Sequence, residues 1–161
     1  REIVFVAGPP HPSIVERQHG YTATMQRHGL PTHVITTPDL GLADGEAAAN
    51  ALIETRPTAT AVVCANDMLA IGLIRRLVQQ GIRVPAQVAV TGFDDIELAS
   101  FTQPALTTIT VDRVAFGRLA VELLLGRVNN PARPPVRCTL GVRLAVREST
   151  ASTIHSIEKD N

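Results

Sequence analysis

Strongly polar residues follow directly on short apolar runs at several points of this sequence. Asn66-Asp67 comes after the run Ala61 to Ala65, and Phe93-Asp94-Asp95 follows Val88 to Thr91. Carboxylates accept hydrogen bonds and amides both accept and donate, so such groups at the ends of buried strands suit the capture of a small polar molecule. The same residues have plainer uses. Asp67 suits the cap of the following helix, and Asp94 and Asp95 suit a turn closed on its own backbone. The aspartate pair stands too close to its strand for both to do only that, so one is expected to face a crevice. Adjacent residues on an extended chain point opposite ways, which disfavours the pair as an acid-base dyad.

Arg17 is placed unusually. It lies between Ile14 and Tyr21 at helical spacing, on the inward side of a helix and near its amino terminus, where the dipole disfavours a cation. A buried guanidinium without a partner is costly, so Arg17 either reaches solvent or meets a carboxylate or a ligand. Signals for catalysis are lacking. The first apolar run leads into Ala7-Gly8-Pro9-Pro10 rather than a phosphate-cradling glycine loop, and prolines remove the amide donors a phosphate needs. There is no G-x-S-x-G elbow, and Cys64 sits inside an apolar run where a thiol is inert. His11, His19, His28, His33 and His155 have no partners at metal-ligand spacing. The expectation is a module that binds a small molecule with no catalytic residue, metal or cofactor.

Composition bounds the rest. The 161 residues are 45% hydrophobic, enough for one α/β domain, and fifteen basic residues balance fifteen acidic ones. Nothing in that charge suggests direct nucleic-acid binding or a membrane surface, and no apolar stretch is long enough to span a bilayer. Cys64 and Cys138 lack the spacing of a disulfide scaffold, which fits a reducing cytoplasm. The sequence runs from Arg1-Glu2 straight into an apolar segment and reads as a piece of a larger protein.

Apolar runs at Glu2 to Ala7, His33 to Thr37, Ala61 to Ala65 and Val88 to Thr91 alternate with helical patterns, which predicts a three-layer α/β fold with an open parallel sheet. The first helix is expected to open on a Ser13/Glu16 capping box, to bury Ile14, Tyr21 and Met25, and to end at Gly29. The second starts near Asp44 and buries Ala48, Ala51 and Leu52. The third starts at Asp67 and buries Ala70, Leu73, Ile74 and Leu77. A short strand at Leu106 to Thr110, an apolar helix from Arg113 to Leu125 and an extended stretch from Val136 to Val146 follow. In such a sheet ligands bind beyond the carboxyl ends of the strands, where the polar residues above fall.

The run AVVCANDMLAIGLIRRLVQQGIRVPAQVAVTGFDDIELASFTQPALTTITVDRVAFGRLAVELLLG, the opening IVFVAGPP with ERQHGY, and the closing VRLAVREST together resemble the effector-binding domain of LacI/GalR transcription regulators. The resemblance implies a lobe like those of the periplasmic sugar-binding proteins, over residues 1–150. It implies operator DNA as a partner through an absent amino-terminal helix-turn-helix rather than through this chain. It places Arg17, Asn66 and Asp94 at polar ligand contacts, for a sugar first and a nucleoside-like metabolite second. Leu40 falls where relatives often carry a stacking aromatic, and Val111 where sugar-binding members often carry a polar residue. A transporter's periplasmic lobe is the alternative within the fold, and a small α/β enzyme the alternative outside it.

Two expectations concern surfaces. Met68, Ile71 and Val78 lie off the core stripe of the third helix and, with Leu98 and Phe101, are expected to form a homodimer contact. Residues 111–134 include a helix apolar around most of its circumference, expected to pack with an absent first lobe. The polar tail 151–161 is expected to be disordered.

Overall fold

Four apolar runs pair as parallel strands because helices connect them and cover them on both faces. The computed structural model describes residues 2–154. Strands β1 (Ile3–Ala7), β2 (His33–Thr36), β3 (Ala61–Cys64) and β4 (Ala89–Thr91) form one parallel sheet in the order β2-β1-β3-β4. Helices α1 (Pro12–Arg27), α2 (Leu42–Thr55) and α3 (Asp67–Gln79) make the crossovers. The step from β1 to β2 runs opposite to the steps from β2 to β3 and β3 to β4, so right-handed connections put α1 on one face and α2 with α3 on the other. The three-layer expectation holds.

A parallel bridge between Thr91 and Thr107 leads from the sheet into β5 (Thr108–Val111), which pairs antiparallel with β6 (Val142–Ala145). Between them runs α4 (Arg113–Asn129), and α5 (Glu148–Ile154) closes the described chain.

On the first face Tyr21 of α1 stacks on Phe5 with ring centroids 5.4 Å apart. Its hydroxyl donates to the Ile3 carbonyl at 2.9 Å and accepts from the His33 amide at 3.0 Å, fastening the starts of β1 and β2 to α1. Tyr21→Phe keeps the stack and strands both groups, so it is expected to cost about 1 to 3 kcal/mol in urea denaturation. An unchanged midpoint would show that water replaces the phenol at no cost. On the second face α2 and α3 touch backbone to backbone. A side chain at Gly45 would run into the Leu69 carbonyl, and one at Gly72 into the Leu42 carbonyl.

The closing residues are stitched back into the sheet. Ser149 donates to the Val90 carbonyl at 2.7 Å and accepts from the Thr107 amide at 2.8 Å. Glu148 accepts from the Ala105 amide at 3.0 Å, and Thr107 Oγ1 accepts from the Arg147 amide at 2.8 Å. The motif RES is therefore a set of hydrogen bonds that closes the fold.

Several expected details differ. Ser13 does not cap α1. Pro12 is pre-set for a first helical turn and has no amide to satisfy, so the cap lies two residues earlier, at His11, which accepts from the Ser13 amide. In α2 the fully buried alanines are Ala48 and Ala49, while Ala51 is only partly covered. Helix α4 runs four residues past Leu125, and regular pairing begins at Val142 rather than Val136. The expected disordered tail is helical through Ile154, and its remainder lies outside the described residues. No residue of α4 is buried, and Val114 and Phe116 are 73% and 62% exposed.

Candidate functional site

The crevice at the carboxyl ends of the strands is where α1, the ends of β3 and β4, and the loop after β4 converge. Arg17, on the second turn of α1, reaches across it. Its Nη1 donates to the Ala65 carbonyl at 2.6 Å, its Nη2 lies 3.4 Å from Asp94 Oδ1, and its guanidinium carbon sits 3.7 Å from the centroid of the Phe93 ring. The cation thus meets a carboxylate, as one of its two expected fates required. Stacking on an aromatic face and fixing one N–H on a carbonyl orients the planar fork.

Asp94 and Asp95 do not continue the strand. Both have positive φ, +108° and +49°, so the extended-chain expectation that they point opposite ways does not apply. Such conformations cost about 1 to 3 kcal/mol each in side-chain-bearing residues and persist only where the surroundings hold them. The turn separates the two carboxylates by role. Asp94 faces Arg17 in the crevice, and burial raises its pKa more than Arg17 and Arg113 lower it. One of its oxygens has no donor among the described residues and is available to a ligand.

Asp95 is latched inside the fold. It accepts from Thr110 Oγ1 at 2.6 Å and from Arg147 Nη2 at 2.7 Å. Arg113 donates to the carbonyls of Asp94 and Asp95 at 3.4 and 3.3 Å. Burial works to raise the Asp95 pKa, but the bonds from Thr110 and Arg147 and the nearby cations outweigh it and leave the net shift downward. A carboxyl whose folded pKa lies below its unfolded value contributes stability above the unfolded pKa and loses it as pH falls through the folded one. The stability gap between the unsubstituted chain and Asp95→Asn is therefore expected to be widest near neutrality and to close as pH falls below about 4. Melting curves across pH check this, and a gap that does not vary with pH would remove the ion pair from the account.

Asn66 takes the capping role expected of Asp67. Asn66 is the α3 cap, its Oδ1 accepting from the Leu69 amide at 2.9 Å, and its Nδ2 donates to the Leu40 carbonyl at 3.2 Å. Asp67 turns inward instead, 1% exposed, with Oδ2 accepting from the Ile96 amide at 2.9 Å and Oδ1 from Thr108 Oγ1 at 2.5 Å. Leu40 packs over Gly8 at the rim of the crevice. Val111 lines a different cavity, of about 570 Å³, between α4 and residues 136–140. Phe93 was not singled out from the sequence, although an aromatic directly before Asp94 was the available signal. An apolar hollow of about 400 Å³ borders Arg17 and Phe93, lined also by Phe5, Tyr21, Val63 and Ile109.

Of the surface residues, Ile71 is only 9% exposed, so it lies beneath the expected contact rather than in it. Phe101 is 76% exposed, with Val78 and Leu98 also open and Met68 partly covered. Among the described residues no three His, Cys, Asp or Glu side chains cluster as a metal site, and no helix is long and apolar enough to cross a membrane.

A family profile described as periplasmic binding protein-like domain matches residues 1–150. The transcriptional regulator MalR of Streptomyces coelicolor is 42% identical over 138 residues, 86% of this chain and 38% of its own. The ribose operon repressor of Escherichia coli K12 is 38% identical over 135 residues, 83% of this chain and 41% of its own. The chain therefore spans less than half the length of these relatives. Among solved structures, the complex of the regulator CelR with cellobiose superposes with a TM-score of 0.88 at 33% identity, over 92% of this chain and 46% of that one. A lac repressor dimer bound to operator and an anti-inducer gives 0.85 at 29% identity, over 92% and 45%.

Proposed function

The chain belongs to the periplasmic binding protein-like family, and from that membership we propose that it is the carboxyl-terminal lobe of the effector-sensing domain of a LacI-type regulator. The observation that carries this reading is the Arg17-Phe93-Asp94 constellation at the carboxyl ends of a parallel sheet. An aromatic-backed guanidinium beside a carboxylate with a free oxygen offers donors and acceptors to neighbouring hydroxyls, with an apolar flank, and presents no activated nucleophile. The ligand class is a small sugar, with Asn66 and Leu40 at the rim and Val111 toward the missing half of the cleft. The whole protein acts in the cytoplasm, and operator DNA is held by a helix-turn-helix outside this chain. Sugar binding to the whole regulator is expected to weaken by about 1.5 to 3 kcal/mol in Asp94→Ala, measured by calorimetry with cellobiose, maltose and ribose as probes. Unchanged affinity in both Asp94→Ala and Arg17→Ala would place the ligand elsewhere.

The same reading makes the protein a homodimer through Phe101, Leu98, Val78 and Met68, with Ile71 supporting them from below. In sedimentation at micromolar concentration Phe101→Asp is expected to shift the whole protein toward monomer. A distribution identical to that of the unsubstituted protein would move the interface to another face.

A further inference from the structure

A buried carboxylate is costly, and α3 does not need one as its cap because Asn66 already serves. Asp67 is nevertheless 1% exposed and fully bonded. Its partners bracket the two strained residues of the site. Its own amide donates to the Phe93 carbonyl at 2.9 Å, on one side of Asp94-Asp95, and its Oδ2 accepts from the Ile96 amide at 2.9 Å on the other. Its Oδ1 accepts a hydrogen bond from the hydroxyl of Thr108, a fully buried residue of β5. The turn is tied to the same strand a second time, since the Asp94 amide donates to the Ile109 carbonyl at 3.0 Å. Gly92 completes the fit, because any side chain there would collide with the Asp67 carboxylate.

We propose that Asp67 is a positioning residue for the ligand site, anchoring both ends of the Asp94-Asp95 turn and thereby holding Asp94 toward Arg17 and the crevice. It touches no ligand itself. The inference rests on the reading that Asp94 is a ligand contact, and it adds that the left-handed turn presenting Asp94 depends on a carboxylate hidden beneath it. Burial, aided by the charges of Asp94 and Asp95, pushes the Asp67 pKa up against the opposing bonds from Thr108 and Ile96. The backbone amide of Asp67 holds the Phe93 end, and its side chain holds Ile96 and Thr108 through one oxygen each, of which an amide keeps one as an acceptor and replaces the other with a donor.

The test compares Asp67→Ala, Asp67→Asn and Thr108→Val in the whole regulator by calorimetry with cellobiose, maltose and ribose, and in this chain by the amide resonances of residues 94 and 95. Asp67→Asn keeps an oxygen for the Ile96 amide and offers an N–H to Thr108, so affinity is expected to stay within about threefold and the resonances near their original positions. Asp67→Ala is expected to weaken binding at least about tenfold and to move both resonances. If Asp67→Ala does not fold, Thr108→Val decides by affinity and by the residue 94 resonance, because it removes the Thr108 bond to Asp67 and keeps that from Ile96, while the Asp95 amide loses its own 3.4 Å contact with Thr108. Unaltered resonances and affinity in Asp67→Ala, or an unaltered residue 94 resonance and affinity in Thr108→Val in its place, overturn the proposal. If no sugar binds even the unsubstituted protein, the ligand reading fails and the resonances alone judge the anchor.

Discussion

Gly72→Ala is expected to lower the stability of this chain by about 2 to 3 kcal/mol, although alanine is the better helix former by about 1 kcal/mol. The opposing effect is steric. The added Cβ would overlap the Leu42 carbonyl, a backbone group at the first turn of α2 that cannot rotate away. The helices can separate only by opening the cluster of Ala48, Leu52, Leu69 and Leu73 between them and the sheet, all of it buried. Gly117, in the exposed α4, has nothing within 4 Å of the same position. There the propensity gain is unopposed, so Gly117→Ala should be neutral or slightly stabilising. Urea denaturation of the pair gives opposite signs if backbone contact decides. Matching midpoints would mean that α2 slides past the new methyl without loss.

The second large effect concerns affinity. Cellobiose, or whichever of the three probe sugars binds, is expected to bind this chain at least about a hundredfold more weakly than it binds the whole regulator, a difference of about 2.7 kcal/mol. Small-molecule sites bury most of their ligand's surface. Here Arg17, Phe93 and Asp94 line one wall of an open crevice, while α4 carries apolar residues with nothing packed over them. The chain covers 46% of the CelR structure, whose cellobiose complex it resembles. Calorimetry on both forms settles the matter, and comparable dissociation constants would mean that a single lobe holds the complete site.

The parallel sheet was legible because each strand is a short apolar run with a helix pattern after it, a contrast that burial on two faces demands. Arg17 was legible for a similar reason, as a charge at a spacing that should have been apolar. The roles within Asn66-Asp67 were not. Asparagine and aspartate cap helices about equally well, and the choice was made by Thr108 and the Ile96 amide, partners that lie 41 and 29 residues further along. The Asp94-Asp95 turn was hidden likewise, since positive φ at two non-glycine residues follows from bonds to β5 and not from local preference. The start of α1 departs from the Ser13/Glu16 expectation for the opposite reason. The cap of α1 is a local matter, but the capping-box spelling of Ser13 and Glu16 outweighed the simpler fact that proline begins helices.

The stitching of Arg147, Glu148 and Ser149 onto the β4–β5 region has a consequence for the protein's birth. Asp95 waits for Arg147, 52 residues behind it, and at ribosomal speeds of about 5 to 20 residues per second that wait lasts roughly 3 to 10 s. During this interval β1 to β4 can assemble, while β5 remains an unpaired edge and the Asp94-Asp95 turn lacks its latch. The crevice is therefore completed late in the synthesis of the lobe, and the β5 edge stays open until β6 and Arg147 have been added.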